Sequence, residues 1–306
     1  MLAEILSLAD PVLSLPTSTL EGQAKRYLDV TLGRGGHLKA ILDKYPHVSA
    51  VAFDQDIDAI IYAQKLFETE IAEGRLQLVH GNFLNYSPEV HGNFDFALAD
   101  LGVSSPQLDQ AERGFSFYHT GPLDMRMDQS LTQKASDILA EYSEAQLIEL
   151  FKNLGEVSSP FRVVRAIVFD RKTKPFETTT QLSGLIERVD GWRKKGVHPA
   201  TQYFLALRLE VNQELVVAQE GVRGLALGLK PQARMAVLTF HSLEDRIIKR
   251  LFKEQLTQWG RPLFKKVIEP TREELLSNPR SRSSKLRVFE RILQDAMESK
   301  SKNKYR

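Results

Sequence analysis

The sequence predicts an α/β protein in which a Rossmann-like parallel sheet is interrupted by an all-helical insertion. Three observations carry this. Short apolar runs of strand length alternate with helix-like stretches from Tyr27 to Gly102, a β-α-β-α-β order that demands parallel strands joined by right-handed crossovers. The first of those runs passes directly into a glycine-rich turn followed by a helix pattern. Between Leu101 and His198, strand candidates vanish and helical periodicity takes over.

In chain order, the strand candidates are YLDV at 27–30, VSAVAFD at 48–54, LQLVHGN at 76–82 and FDFALADLG at 94–102. Helix-like stretches run from Leu38 to Tyr45 and from Asp58 to about Ile71. A fifth buried strand, RMAVLTF at 234–240, follows one long helical pattern from about Ala200 to Leu229, which stops at Gly228 and Pro231. Two later runs, FKKVI at 264–268 and LRVFERI at 286–292, are expected to close the sheet as an antiparallel pair. Within the insertion, ASDILAEYSEAQLIELF at 135–151 and VSSPFRVVRAIVFDRKTK at 157–174 have helical phase, and threonines cap the pattern that begins at Thr178. The expected division is therefore residues 1–106 and 200–306 for the sheet domain and 107–199 for the helical insertion.

Composition narrows the class. A hydrophobic content of 42% and a charged content of 26% are those of an ordinary soluble globular protein. No apolar run approaches the roughly 18 residues that a membrane span requires, and the start, MLAEILSLADPVLSL, carries Glu4 and Asp10 without a basic lead, unlike a signal peptide. A cytoplasmic protein without membrane association is expected. The absence of cysteine excludes disulfides, thiol chemistry and the usual structural zinc sites, and the seven scattered histidines imply no metal. Net charge is only +2, but residues 245–306 hold 17 Lys and Arg against 8 Asp and Glu, leaving 24 against 31 in the remainder. A basic end of that kind is a candidate polyanion footprint.

The turn after the first strand reads Asp29-Val30-Thr31-Leu32-Gly33-Arg34-Gly35-Gly36-His37. Glycine there lets backbone approach a ligand closely and tolerates positive φ. The second strand ends in Phe53-Asp54-Gln55-Asp56, where an acid can accept hydrogen bonds from both hydroxyls of a ribose. Together these features imply a nucleoside cofactor. A dinucleotide fingerprint would place a third glycine where Leu38 stands. S-adenosylmethionine, which has no phosphate to clamp, fits the looser turn better. Phe83, at the end of the third strand, could stack on an adenine. Asp100, at the end of the fourth, faces the crevice where ligands bind in open α/β sheets.

Beyond Asp100 the sequence becomes specific. The block DLGVSSPQLDQAERGFSFYHTGPLDMRMD at 100–128 closely resembles the signature of the bacterial 16S ribosomal RNA cytosine 4-amino methyltransferases. Further blocks agree in order: LDVTLGRGGH, GEVSSPFRVVRAIV, HPATQYFLALRLEVNQEL, LTFHSLEDRIIKRLF and NPRSRSSKLRVFER. The resemblance implies a class I S-adenosylmethionine-dependent methyltransferase sheet carrying an inserted helical substrate-recognition domain. It also implies cofactor contacts at Gly35, Gly36, His37, Asp54, Phe83, Asp100 and Gln107. The substrate it implies is a decoding-centre (P-site) cytosine of 16S rRNA within a largely assembled 30S subunit; a homodimer is left open.

Three departures from the family pattern stand out: Leu32 in place of the common Phe, Val30 in place of a small residue, and Val157 in place of the second acid of a Gly-Glu-Glu pattern. Family members also carry a His-x-Pro-Val segment ahead of the stretch that Met1-Leu2-Ala3-Glu4 matches. The expectation is that Met1 is an internal methionine and that the natural protein extends upstream.

Methyl transfer to a cytosine amine is an in-line displacement by a poor nucleophile, so hydrogen-bond acceptors must engage the amine and hold it about 3 to 3.5 Å from the methyl. Candidate catalytic residues are Asp100, Ser104 in the following turn, and His241 in FHSLEDR. Arg113, Phe115, Phe117 and Arg126 are candidate readers of an extruded base, and Arg280, Arg282, Lys285 and Arg287 are candidate phosphate contacts. Two competing readings remain: an amine methyltransferase acting on another nucleic acid or a small molecule, and a catalytically silent RNA-binding ribosome-assembly factor. The intact Gly35, Asp54 and Asp100 argue against the second.

Overall fold

A computed structural model of the chain describes residues 1–14, 24–191 and 198–292. The chain divides into two compact units, one of Met1–Gly102 with Leu215–Arg306 and one of Val103–Glu214. The Lys-rich end SKNKYR, part of the expected basic footprint, lies outside the described residues.

The first unit is built on seven strands: β1 (Arg26–Asp29), β2 (Ser49–Asp54), β3 (Leu76–His80), β4 (Phe94–Asp100), β5 (Leu229–Thr239), β6 (Gly260–Pro262) and β7 (Lys285–Arg291). Their order is β3-β2-β1-β4-β5-β7-β6. The first five are mutually parallel, and β7 runs antiparallel to both β5 and β6. This is the Rossmann-like class I sheet the sequence implied. Alternation along the strands explains it. Tyr27, Ala50, Ala52, Phe96, Leu98, Ala236 and Leu238 enter one core with Ile5, Leu38 and Ile41, while Leu28, Val51, Phe53, Ala97, Ala99, Met235 and Val237 enter another with Val222, Ile248 and Phe252. A sheet buried on both faces needs strands that are apolar at nearly every position, and FDFALAD is buried at every position but its last.

Two expectations are corrected. FKKVI at 264–268 is not a strand; only Ile268 bridges to Leu286, and the edge strand is Gly260–Pro262. The Leu263 N–H still donates to the Val288 carbonyl at 2.9 Å, and beyond it Phe264, Lys265 and Lys266 are exposed. The single helix expected from Ala200 to Leu229 is two, the first being Thr201–Val211. Asn212 ends it, donating from its amide to the carbonyls of Met125 and Arg208 and accepting from the N–H of Met127, and Gln213 follows at φ 50°. That break falls at the C-terminal end of the second unit, Val103–Glu214.

The second unit has its own core, packed from Met125, Ile138, Leu147, Phe151, Val164, Ile186 and Leu207. Its helices are Ser105–Asp109, Ala135–Glu141, Glu144–Asn153, Phe161–Asp170, Thr179–Asp190 and Thr201–Val211. The expected 135–151 helix is interrupted by Tyr142 and Ser143, because Ser143 caps a new helix with Gln146 returning to its N–H. Thr178 caps the Thr179–Asp190 helix in the same way.

Candidate active site

Strand order reverses between β1 and β4, and a crevice opens at the C-terminal ends of strands beside such a switch point. Three acids end the strands there: Asp29 on β1, Asp54 on β2 and Asp100 on β4. Asp54 is fixed by two backbone donors, the Gly33 N–H at 2.7 Å and the Asp56 N–H at 2.8 Å. The glycine turn is thereby tied to the second strand. Burial pushes the Asp54 carboxyl up to about 6, while those two N–H groups pull it down.

Gly35 caps the helix Gly36–Lys44 at φ 72°, and a Cβ there would lie 2.7 Å from the Phe67 ring. Both the left-handed backbone and the close approach require glycine. Gly36 has open space where a Cβ would be, so it leaves room at the helix start. His37 follows with its Nδ1 3.7 Å from Asp100 Oδ2, beyond hydrogen-bonding range. Burial lowers the His37 imidazole to about 4, with the N-terminal ammonium adding to the effect, so it is neutral near pH 7.

Asp100 keeps about a third of its side chain open (30% exposed), yet its Oδ1 is sealed from solvent without a hydrogen-bond partner. Burial raises its carboxyl to about 7, helped by the neighbouring charges of Asp29 and Glu244. Asp29 is wholly buried, accepting from the Tyr27 hydroxyl at 2.9 Å and the Thr31 N–H at 3.2 Å, and burial lifts it to about 6. The Thr31 hydroxyl accepts the backbone N–H of Asp100 at 2.6 Å. Sequence reasoning missed Asp29 and Thr31, although the LDVT that ends β1 contains both. An acid at the buried end of a central strand was the available signal.

Several proposed residues have other employment. Phe83 is 7% exposed and its ring packs on the position of Gly221, where a Cβ would lie 2.2 Å away, so it is mainly a core aromatic. Of the three departures from the family pattern, Val30 and Leu32 lie in opposite cores and Val157 in the core of the helical unit. His241 stands beyond the end of β5, next to β4, and caps the helix Ser242–Arg250. Its Nδ1 faces the Glu244 N–H at 3.5 Å, and its Nε2 lies 3.1 Å from Glu244 Oε1 in a direction that makes no hydrogen bond. The geometry therefore gives His241 a helix-capping position. Ser104 donates its N–H to the Gln107 amide oxygen at 2.9 Å, which makes both residues part of a helix cap.

The candidate base readers likewise have partners within the chain. Arg113 is buried, giving its guanidinium to the carbonyls of Arg126 and Met127. Arg126 clamps Asp124 with two hydrogen bonds of 2.7 Å, and Phe115 is buried. These three hold the signature block in shape. Its exposed aromatic is Tyr118, 72% exposed and packed against Phe117, whose ring lies 4.6 Å from that of His198. Among the phosphate candidates, Arg287 and Lys285 share Asp245, whereas Arg282 is exposed.

With this geometry in place, comparison with known proteins is informative. The chain matches the MraW methylase family over residues 2–292. A relative from Bdellovibrio bacteriovorus, ribosomal RNA small subunit methyltransferase H, is 56% identical over 89% of this chain and 82% of its own length. The protein of the same name from Rippkaea orientalis is 44% identical over 87% of this chain and 86% of its own. Among solved structures, an rRNA methylase from Streptococcus thermophilus aligns over 88% of each chain at 9% identity and a TM-score of 0.42, too distant to add to the argument. No helix among the described residues is long and apolar enough to cross a membrane. An acid-rich switch-point crevice behind a glycine turn and a family match over nearly the whole length lead to one statement: the chain belongs to the MraW methylase family.

Proposed function

We propose that this chain is an S-adenosylmethionine-dependent methyltransferase of small-subunit ribosomal RNA, acting on the N4 amine of a decoding-centre cytidine in 16S rRNA within the 30S subunit. One observation carries the reading. Asp54 and Asp100 stand at strand ends on either side of β1, beside a glycine turn, in a chain 56% identical to a protein named for small-subunit rRNA methylation.

The residues suit the cofactor. Asp54 is preset by two backbone N–H groups to receive ribose hydroxyls, Gly36 leaves open space at the helix start for the amino-acid part, and the buried Asp100 Oδ1 has no partner within the chain. When bound, S-adenosylmethionine supplies an electrophilic methyl on a cationic sulfur. Asp100 offers an acceptor to an amine, favouring the pyramidal nitrogen of the transition state. His37, neutral at working pH, adds no positive charge beside Asp100. The helical unit is assigned substrate recognition, with Tyr118 the exposed aromatic of the signature block.

The deciding experiment is radiolabelled methyl transfer to assembled small subunits, naked rRNA and DNA, followed by mass mapping of the modified nucleoside. Label at a cytidine N4 of assembled subunits is expected. Label elsewhere, or equal transfer to DNA, would refute the assignment.

A further inference from the structure

We infer that a basic groove on the sheet-bearing unit, remote in sequence from the acidic crevice, docks single-stranded ribosomal RNA, with phosphates on Lys249, Lys253 and Lys266 and an unpaired base on Phe264. The inference rests on the rRNA reading above. The groove lies between the end of the Ser242–Arg250 helix, the segment after β6 and the face of β7, and Phe252 and Arg287 also line it. No carboxylate is among its lining residues.

The charges are available. Lys249, Lys253 and Lys266 are exposed, with no acid bound to them among the described residues, whereas Arg287 is held by Asp245 at 2.7 Å. Such cations release condensed counterions when they meet phosphates. Local backbone supports the arrangement. The helix continues into a π-helical turn, Leu251–Gln255, and Lys249 and Lys253, four residues apart, lie on one side of it. Phe252 is buried by the same turn and forms the groove floor. Phe264 is the exposed aromatic among these cations, 44% accessible. An aromatic face amid positive charge is how proteins hold unpaired nucleotides without reading their sequence.

The test is titration of a short fluorescent single-stranded RNA against wild type, Lys249→Ala/Lys253→Ala/Lys266→Ala, Phe264→Ala and Phe264→Trp over a salt series. Binding of undermethylated small subunits and of cofactor is measured in parallel. The triple variant should bind the oligonucleotide at least about tenfold more weakly at low salt, with a log–log salt slope shallower by about 2. Phe264→Ala should lose about tenfold and Phe264→Trp should retain affinity. Cofactor affinity should not change. Unchanged RNA binding by the triple variant would overturn the groove even if wild type methylates rRNA. Conversely, absence of methyl transfer by wild type would sink the rRNA reading while the oligonucleotide still reports on the groove. Weaker binding of small subunits alone, with naked RNA unaffected, would mean the groove meets a ribosomal protein and would overturn the RNA assignment.

Discussion

The backbone N–H of Asp100 donates to the hydroxyl of Thr31 at 2.6 Å, while the N–H of Thr31 donates to Asp29. Thr31 thus couples two acids on adjacent parallel strands, one wholly buried and one open to the crevice. Thr31→Val removes the acceptor while keeping the shape. It should lower kcat about tenfold or more with little change in cofactor affinity, because misplacement of a reacting group costs orientation. Thr31→Ser should restore the rate. Steady-state kinetics at saturating cofactor decide this, and a Thr31→Val enzyme with wild-type kcat would remove the positioning role.

Asp54→Ala should weaken S-adenosylmethionine binding by about 1–3 kcal/mol, the range for losing an acceptor to a buried donor. Calorimetry on the folded variant checks it, and an unchanged Kd would dismiss the ribose assignment.

The raised carboxyls have a consequence for pH. Asp29 and Asp54 at about 6 and Asp100 at about 7 hold protons that the unfolded chain has already released. The folded state therefore binds more protons, and unliganded stability should fall as pH rises from about 4 to about 7. A cationic ligand favours the ionised acids, so S-adenosylmethionine should bind more tightly across the same rise, with proton release near pH 6. S-adenosylhomocysteine, which lacks the sulfonium charge, should show less of this. Thermal melts and calorimetry with each ligand at pH 5 and 8 provide the measurement, and identical pH profiles for the two ligands would contradict it.

Asn212→Ala should destabilise the helical unit by about 2–4 kcal/mol, since it strands the buried Met127 N–H and Met125 carbonyl. Denaturant melts should show a lower midpoint, with the signature block 125–127 more open to hydrogen exchange. A variant as stable as wild type would show that the helix break does not depend on this side chain.

Much was legible in the chain because its signals are local. Alternating apolar strands, the Gly33–Gly36 turn and the acids that end β2 and β4 follow from neighbours in sequence, so the Rossmann-like sheet and the strand-end positions of Asp54 and Asp100 could be read directly. What only the tertiary structure decided was which polar side chains are already spent. Arg113, Arg126, Gln107 and His241 have the chemistry of readers and catalysts, but each finds an intrachain partner or packing environment that sequence spacing does not reveal. The same holds for the break at Asn212, whose partners lie more than eighty residues away. Buried polar groups must be satisfied wherever the fold brings them together. That accounting is long-range, so periodicity could place the elements while only packing could tell a site residue from a strut.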